Sequence, residues 1–165
     1  MPYKPSIHMV PSPLWGMNLR HVLPKSRWTK LRQQLIGDRG LQCQTCGIDE
    51  TATSRIFVHE DWEYDTTRSP AVASLIGLKL SCWHCHAVAH FGATTNMALS
   101  GELDDRAIRE AVDHFCRLNG VGRDVFDAHL EEAKAEWQQL SELEWQVDWR
   151  DFGYLVADTE NRRTR

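Results

Sequence analysis

No run in this 165-residue sequence approaches the roughly 18 consecutive apolar positions that a transmembrane helix needs. A secretory leader is not expected either. The opening MPYKPSIHMVPSP is polar and broken by proline, without the apolar core of a signal peptide, so a soluble, cytoplasmic chain with no membrane partner is the expectation. Five of the six prolines fall within residues 1–24, which read as an extended arm. An excess of positive charge is also absent: the formal net charge is −4, and the whole-chain balance does not advertise a nucleic-acid binder. Cysteine is limited to five residues, four of them in C-x-x-C pairs, which argues against a disulfide framework and for a reducing compartment. The fifth, Cys116, falls in a helical pattern and reads as a small core residue.

At 42% hydrophobic the chain can bury the core of one ordinary domain, and a second full domain is not expected. Charge is unevenly spread. Residues 1–60 carry eight Lys or Arg against four Asp or Glu, whereas residues 101–165 carry nine against sixteen. The basic half leaves room for a local phosphate-binding face, with solvated surface charge as the plain alternative.

What the chain does have is concentrated in residues 82–90, CWHCHAVAH. Cys82 and Cys85 are two residues apart, as a backbone knuckle requires if both sulfurs are to point at one tetrahedral zinc. His86 follows at once, and His90 comes four residues later, the spacing that stacks two side chains on one helix face. A second pair, Cys43 and Cys46 in CQTCG, lies upstream, with Gly47 free to take a positive backbone dihedral. Two such pairs point to a structural zinc with four cysteine ligands. Buried thiol pairs or a redox C-x-x-C are the alternatives, but a redox motif needs one pair and a βαβ context not seen here. The pairs are separated by 35 residues, 47–81, against about 15–20 in an ordinary zinc ribbon. Something is inserted between the knuckles.

That insert holds RIFVHEDWEYD, residues 55–65. Ile56, Phe57 and Val58 form a short β-type run with His59 and Glu60 at its end, followed by Trp62 and Tyr64. A Cys pair, a strand ending in His, and a second Cys pair running into Cys-His and a helix together resemble the HNH endonucleases. The likeness is narrower to a bacterial and phage type with an H-E-x-W-x-Y-D stretch, and it extends to the PLWGMNLR opening and the acidic helices after His90.

The resemblance implies an α+β fold: a small ββα-metal HNH core with the four-cysteine zinc site, braced by an N-terminal helix and a C-terminal helical hairpin. Residues 1–40 would be the arm and helix, 41–93 the zinc-bound nuclease core, and 102–155 the helical hairpin and tail, all in one domain. It also implies metal-dependent hydrolysis of DNA in a phage, mobile-element or defence setting. His59 takes the place of the general base. His86 and His90 match the helix positions that hold the catalytic divalent ion, Mg2+, Mn2+, Ni2+ or Zn2+. Zinc at Cys43, Cys46, Cys82 and Cys85 would be structural, tying the strand of His59 to the helix of His86.

Two positions depart from the family pattern. Val58 stands where an Asp or His ligand usually precedes the base, and Gly77 stands where an Asn would help orient it. Glu60 is the natural replacement as catalytic carboxylate and metal ligand, with Asp61 and Asp65 as lesser candidates. A second function class therefore stands beside the nuclease: a degenerate HNH-like zinc module that binds nucleic acid or a protein partner, the latter through the C-terminal helices. Nothing reads sugar identity, so RNA is retained beside DNA.

Along the chain, Ser26 is expected to cap a helix over 27–36, with Arg27, Lys30 and Arg32 on faces where phosphate contact is conceivable. Residues 70–80 read as a helical turn or a second strand, 85–91 as the helix of the histidine pair, and 94–101 as a linker. Asp104 caps a helix that stops at Asn119-Gly120, and a second helix runs from Asp124 to about Leu143. Trp62 and Tyr64 are expected to pack beneath the site, and Trp145, Trp149, Phe152, Tyr154 and Leu155 to dock before a charged tail. His84 is expected to point away from the zinc. His8, His21, His114 and His129 have no constellation around them.

Overall fold

A computed structural model describes residues 3–157; the charged tail beyond residue 157 lies outside the described residues. The fold is α+β, built on a three-stranded sheet. β1 (Ile56–Asp65) pairs antiparallel with β2 (Ala71–Cys82), and β3 (Trp145–Asp148) lies parallel along the other side of β2. β1 does not stop at His59 as the sequence suggested. Trp62 and Tyr64 keep the alternation of Ile56 and Val58, and they pack on Trp149 and Trp145 at ring separations of 5.5 and 5.2 Å. Of residues 70–80, which the sequence reads as a helical turn or a second strand, all but Pro70 belong to β2. Asp61 faces Gly77 while Trp62 faces Leu75, so Ile76 is the extra residue of a bulge. That bulge resets the phase of β2, which lets Leu75 and Leu78 both enter the core while Ile76 is exposed.

One core fills the space under this sheet. Leu75, Leu78 and Leu80 meet Leu19 of α1 (Leu19–Val22) and Leu35 of α2 (Lys25–Arg39), with Trp28, Trp62 and Trp149 packed around them. α2 is longer than the sequence indicated and follows Pro24 at its N-cap; no side chain caps it, so Ser26 does not have the role assigned to it. Arg32 donates to the carbonyls of Ile56 and Thr53, and Arg27 donates to that of Leu155.

On the opposite face sits α3 (Trp83–Ala89), which begins two residues earlier than expected because Cys82 itself is the N-cap, its sulfur accepting from the Cys85 N–H at 3.5 Å. The chain turns at His90 and continues as α4 (Phe91–Leu99), where a linker was expected. Two contacts explain that helix. The buried Thr94 hydroxyl donates to the Ala87 carbonyl at 3.0 Å, and Phe91 packs edge-on against Phe126 at 5.0 Å.

α5 (Asp105–Asn119) and α6 (Arg123–Ser141) form the expected pair behind α3. Asp104 caps α5 by accepting from the Ala107 N–H at 3.1 Å, and Gly120 ends it at φ 64°, a left-handed conformation that glycine adopts without strain. Val88, Phe91, Val112, Phe115 and Phe126 make a second core, which Ile7 of the N-terminal arm enters and beside which Cys116 packs. The arm is tied down along its length: the Ile7 N–H donates to His129 Nε2 at 3.0 Å, the His8 N–H to the Ala89 carbonyl at 2.8 Å, and Trp137 Nε1 to the Val10 carbonyl at 3.0 Å. Among the described residues, no helix is long and apolar enough to cross a membrane.

Candidate metal centres

The two knuckles meet at the end of the hairpin. Gly47 takes φ 78° and donates its N–H to the Cys43 carbonyl at 2.8 Å, closing the first turn. Gln44 fastens that turn to β2 twice: its N–H donates to the Leu80 carbonyl, and its Oε1 accepts from the Leu80 N–H, both at 2.8 Å. As a result Cys43, Cys46, Cys82 and Cys85 lie together with all four sulfurs within 4.8 Å of one another. Cys46 Sγ and Cys82 Sγ are 3.8 Å apart. Tetrahedral zinc with Zn–S bonds of about 2.3 Å sets its sulfurs about 3.8 Å apart, so the cluster fits a structural metal ion such as zinc. Ionisation within it is shared. Hydrogen bonds from Cys82 and Cys85 hold the Cys43 thiol far below its ordinary range, and the contact with Cys43, with burial behind it, pushes Cys82 up to about 12 against the pull of Cys85. A divalent cation is what allows four thiolates to coexist there.

The second centre joins the hairpin to α3. His59 projects from β1, His86 from α3, and His90 from the C-cap of α3 one turn further on. Ring centroids are 4.8 Å apart for His59 and His90, 4.7 Å for His86 and His90, and 6.0 Å for His59 and His86. One nitrogen from each lies within 4.8 Å of the others, a group able to hold a metal ion. Phe57 stacks on His86 at 5.1 Å and walls one side. Burial is the largest influence on all three imidazoles, and neighbouring positive charge adds to it: His59 is pulled down to about 2, His86 to about 3 and His90 to about 4. They are neutral near pH 7, the state in which an imidazole nitrogen binds a cation.

His59 is only 3% exposed, and its Nδ1 is a buried nitrogen with no hydrogen-bond partner. Leaving such a group unmatched costs about 1–3 kcal/mol, which a metal bond would remove. Its other nitrogen, Nε2, stands 3.8 Å from Asp61 Oδ1, and that carboxylate accepts from Lys79 Nζ at 2.6 Å. Asp61 and Lys79 share the sheet face of His59, one by alternation and the other by direct cross-strand pairing.

Glu60 is elsewhere, which corrects its assignment as catalytic carboxylate and ligand. Adjacent residues of a strand point to opposite faces, and Glu60 is turned under the sheet, where Oε1 accepts from the Leu19 N–H at 2.8 Å and Oε2 from Trp62 Nε1 at 3.1 Å. Burial raises its carboxyl to about 7 against the pull of those donors. Val58 packs into the core on that same side. Gly77 pairs with Asp61, and a Cβ built on it would lie 4.0 Å from Asp61 Oδ2. Asp65, the other lesser candidate, is at the hairpin loop, where it accepts from Thr67 and pairs with Arg68.

His84 stays out of the cysteine cluster and lies 3.7 Å from Glu110 Oε2, at the rim of a cleft of about 410 Å³ lined also by Arg55, Phe57, Trp83 and Arg106. His21 bonds Asn18 at 2.8 Å. His114, to which the sequence assigned nothing, has Nε2 at 3.1 Å from Cys85 Sγ. Helical spacing from Glu110 marks its face, but nothing in the sequence says that this face meets a knuckle. No family model, curated protein or solved structure matches this chain.

Proposed function

We propose that the protein is a metal-dependent endonuclease of the HNH type that hydrolyses DNA phosphodiester bonds. One observation carries this: a β-hairpin and the helix that follows it present His59, His86 and His90 to one another, while a four-cysteine cluster clamps the base of the same hairpin and helix. The ββα-metal arrangement needs those elements in that order.

His86 and His90 would hold a divalent cation, which would acidify a water and offset charge on the phosphate and the leaving 3′ oxygen. His59 is cast as general base by the sequence resemblance. Its burial and unpartnered Nδ1 favour a third ligand's role instead, with Asp61 holding the ring's orientation through Nε2. Lys79, paired with Asp61, stands on the sheet face of His59, where a phosphate would approach.

The second reading is a metal-binding module without catalysis, which binds nucleic acid or a protein. Its support is specific: Glu60 and Val58 face away from the trio, so Asp61 is the carboxylate left on its face. Plasmid cleavage by the purified chain with magnesium, manganese, nickel or zinc, run beside His59→Ala and a metal-free control, separates the two. Cleavage that requires the ion and disappears in the variant is the expected result, with an RNA arm to assign the substrate. Folded, metal-loaded protein that cleaves neither strand type under any ion would establish the module instead.

A further inference from the structure

We propose that α5 gives the cysteine centre an ordered outer hydrogen bond running from Arg117 through His114 to Cys85, and that His114 is a positioning residue for the metal held there. The inference rests on the reading of the cysteine cluster as a metal site and adds a residue to it. Three facts support it. His114 is 9% exposed, and its Nε2 lies 3.1 Å from Cys85 Sγ. On the other side of the ring, Arg117 Nη2 is 3.5 Å from His114 Nδ1. Finally, His84 stacks on the ring at 5.3 Å and 27° between planes, with its own Nε2 3.7 Å from Glu110 Oε2.

The direction of the bonds follows from what each group can do. A guanidinium donates and never accepts, so His114 Nδ1 must accept from Arg117. The proton of the neutral imidazole then resides on Nε2, which donates to Cys85. The sulfur is the acceptor, as a metal-bound thiolate must be, and its neighbour Cys82 is already an acceptor from the Cys85 N–H. Four thiolates around a divalent cation leave net negative charge in a mostly buried place, and each N–H directed at a sulfur draws some of it off. Glu110, His114 and Arg117 are spaced four and three residues apart, so one face of α5 supplies all three, and α3 supplies His84 and Cys85. The α5–α6 pair is therefore part of the metal centre as well as a brace.

The test uses the full chain loaded with cobalt(II), whose sulfur-to-cobalt charge-transfer band arises only from thiolate ligands and does not report the histidine trio. His114→Phe keeps the ring and removes the donor. The band should move to lower energy, metal affinity in competition with a chromophoric chelator should fall about 10–100-fold, and His114→Gln, which retains a donor, should recover most of both. An unchanged band and affinity in His114→Phe overturn the inference while leaving the cysteine centre standing. A wild-type chain with no thiolate band overturns the cysteine centre and this inference with it. Should His114→Phe fail to fold, long-range proton–nitrogen NMR of the zinc-loaded wild type decides: a proton on His114 Nε2 supports the arrangement, and one on Nδ1 overturns it.

Discussion

His59 and Glu60 are consecutive residues that face opposite sides of one sheet: His59 Nε2 stands 3.8 Å from Asp61 above it, and Glu60 Oε1 accepts from the Leu19 N–H at 2.8 Å below it. Their substitutions should therefore separate metal binding from stability. Glu60→Ala removes the acceptor of two N–H donors and is expected to cost about 1–3 kcal/mol, read from urea denaturation, with both metal ions retained. His59→Ala should lose the ion of the trio and leave the fold nearly as stable. Metal content of the purified variants decides it; loss of that ion in Glu60→Ala alone would return the carboxylate to the ligand set.

The cysteine centre was legible because its chemistry is local. Two C-x-x-C pairs and the glycine after the first define a pair of turns whatever lies between them, and the structure brings them together. The helices of the C-terminal half were legible through Asp104, Gly120 and an apolar stripe. What failed was face assignment on β1. Ending the strand at His59 hid the alternation that places Glu60 below and Asp61 above. The bulge at Ile76 and the helix from Phe91 were hidden for another reason: each is set by a distant partner, Trp62 in one case and Phe126 in the other. His114 likewise acquires its meaning only when α5 lands on α3.

Removing a cysteine should do more than remove an ion. Cys82 is at once a ligand candidate, the last residue of β2 and the N-cap of α3. Metal binding at such a centre contributes directly to folding free energy, so Cys82→Ser, or treatment with a strong chelator, should lower and broaden the thermal transition. His90→Ala should instead keep the transition and lower the metal content by one ion. Circular dichroism melts beside elemental analysis check both; a sharp, unshifted transition in Cys82→Ser would remove the centre from the fold's stability.

The N-terminal arm is held by its own buried residue. Ile7 is 3% exposed among Ala87, Val88, Phe115 and Phe126, and its N–H is matched by His129. Ile7→Ala should cost about 2–5 kcal/mol, the range for truncating a buried aliphatic side chain. A lowered urea midpoint at unchanged slope is expected. A loss below about 0.5 kcal/mol, the size of an ordinary surface substitution, would show that the arm is not part of the cooperative unit.

Acid should destabilise the chelated protein, and the sign follows from which state binds protons first. The three histidines have folded pKa values of about 2, 3 and 4, against about 6.5 in an unfolded chain. As pH falls below about 6.5 the unfolded chain takes up protons that the folded one refuses, so the stability they contribute is present above that pH and is lost on acidification. Glu60 works in the other direction. Its folded value of about 7 lies above the ordinary 4.5, so its contribution is full below that ordinary value and is lost as pH rises toward 7. Between about pH 4.5 and 6.5 the three imidazoles of the trio favour unfolding on acidification, as do His8, His114 and His129, which burial also holds below their ordinary value; Glu60 opposes them, and the net effect is destabilising. Urea midpoints measured across this window should therefore fall with pH. Glu60→Gln should make the fall steeper, because the opposing group is gone, and His90→Gln should make it shallower. Bound metal should move the fall to lower pH, since a cation competes with protons for the same nitrogens. Midpoints that do not change across the window in the chelated protein would mean that the three imidazoles are hydrated in solution, and the trio would then lose its claim to be a preformed site.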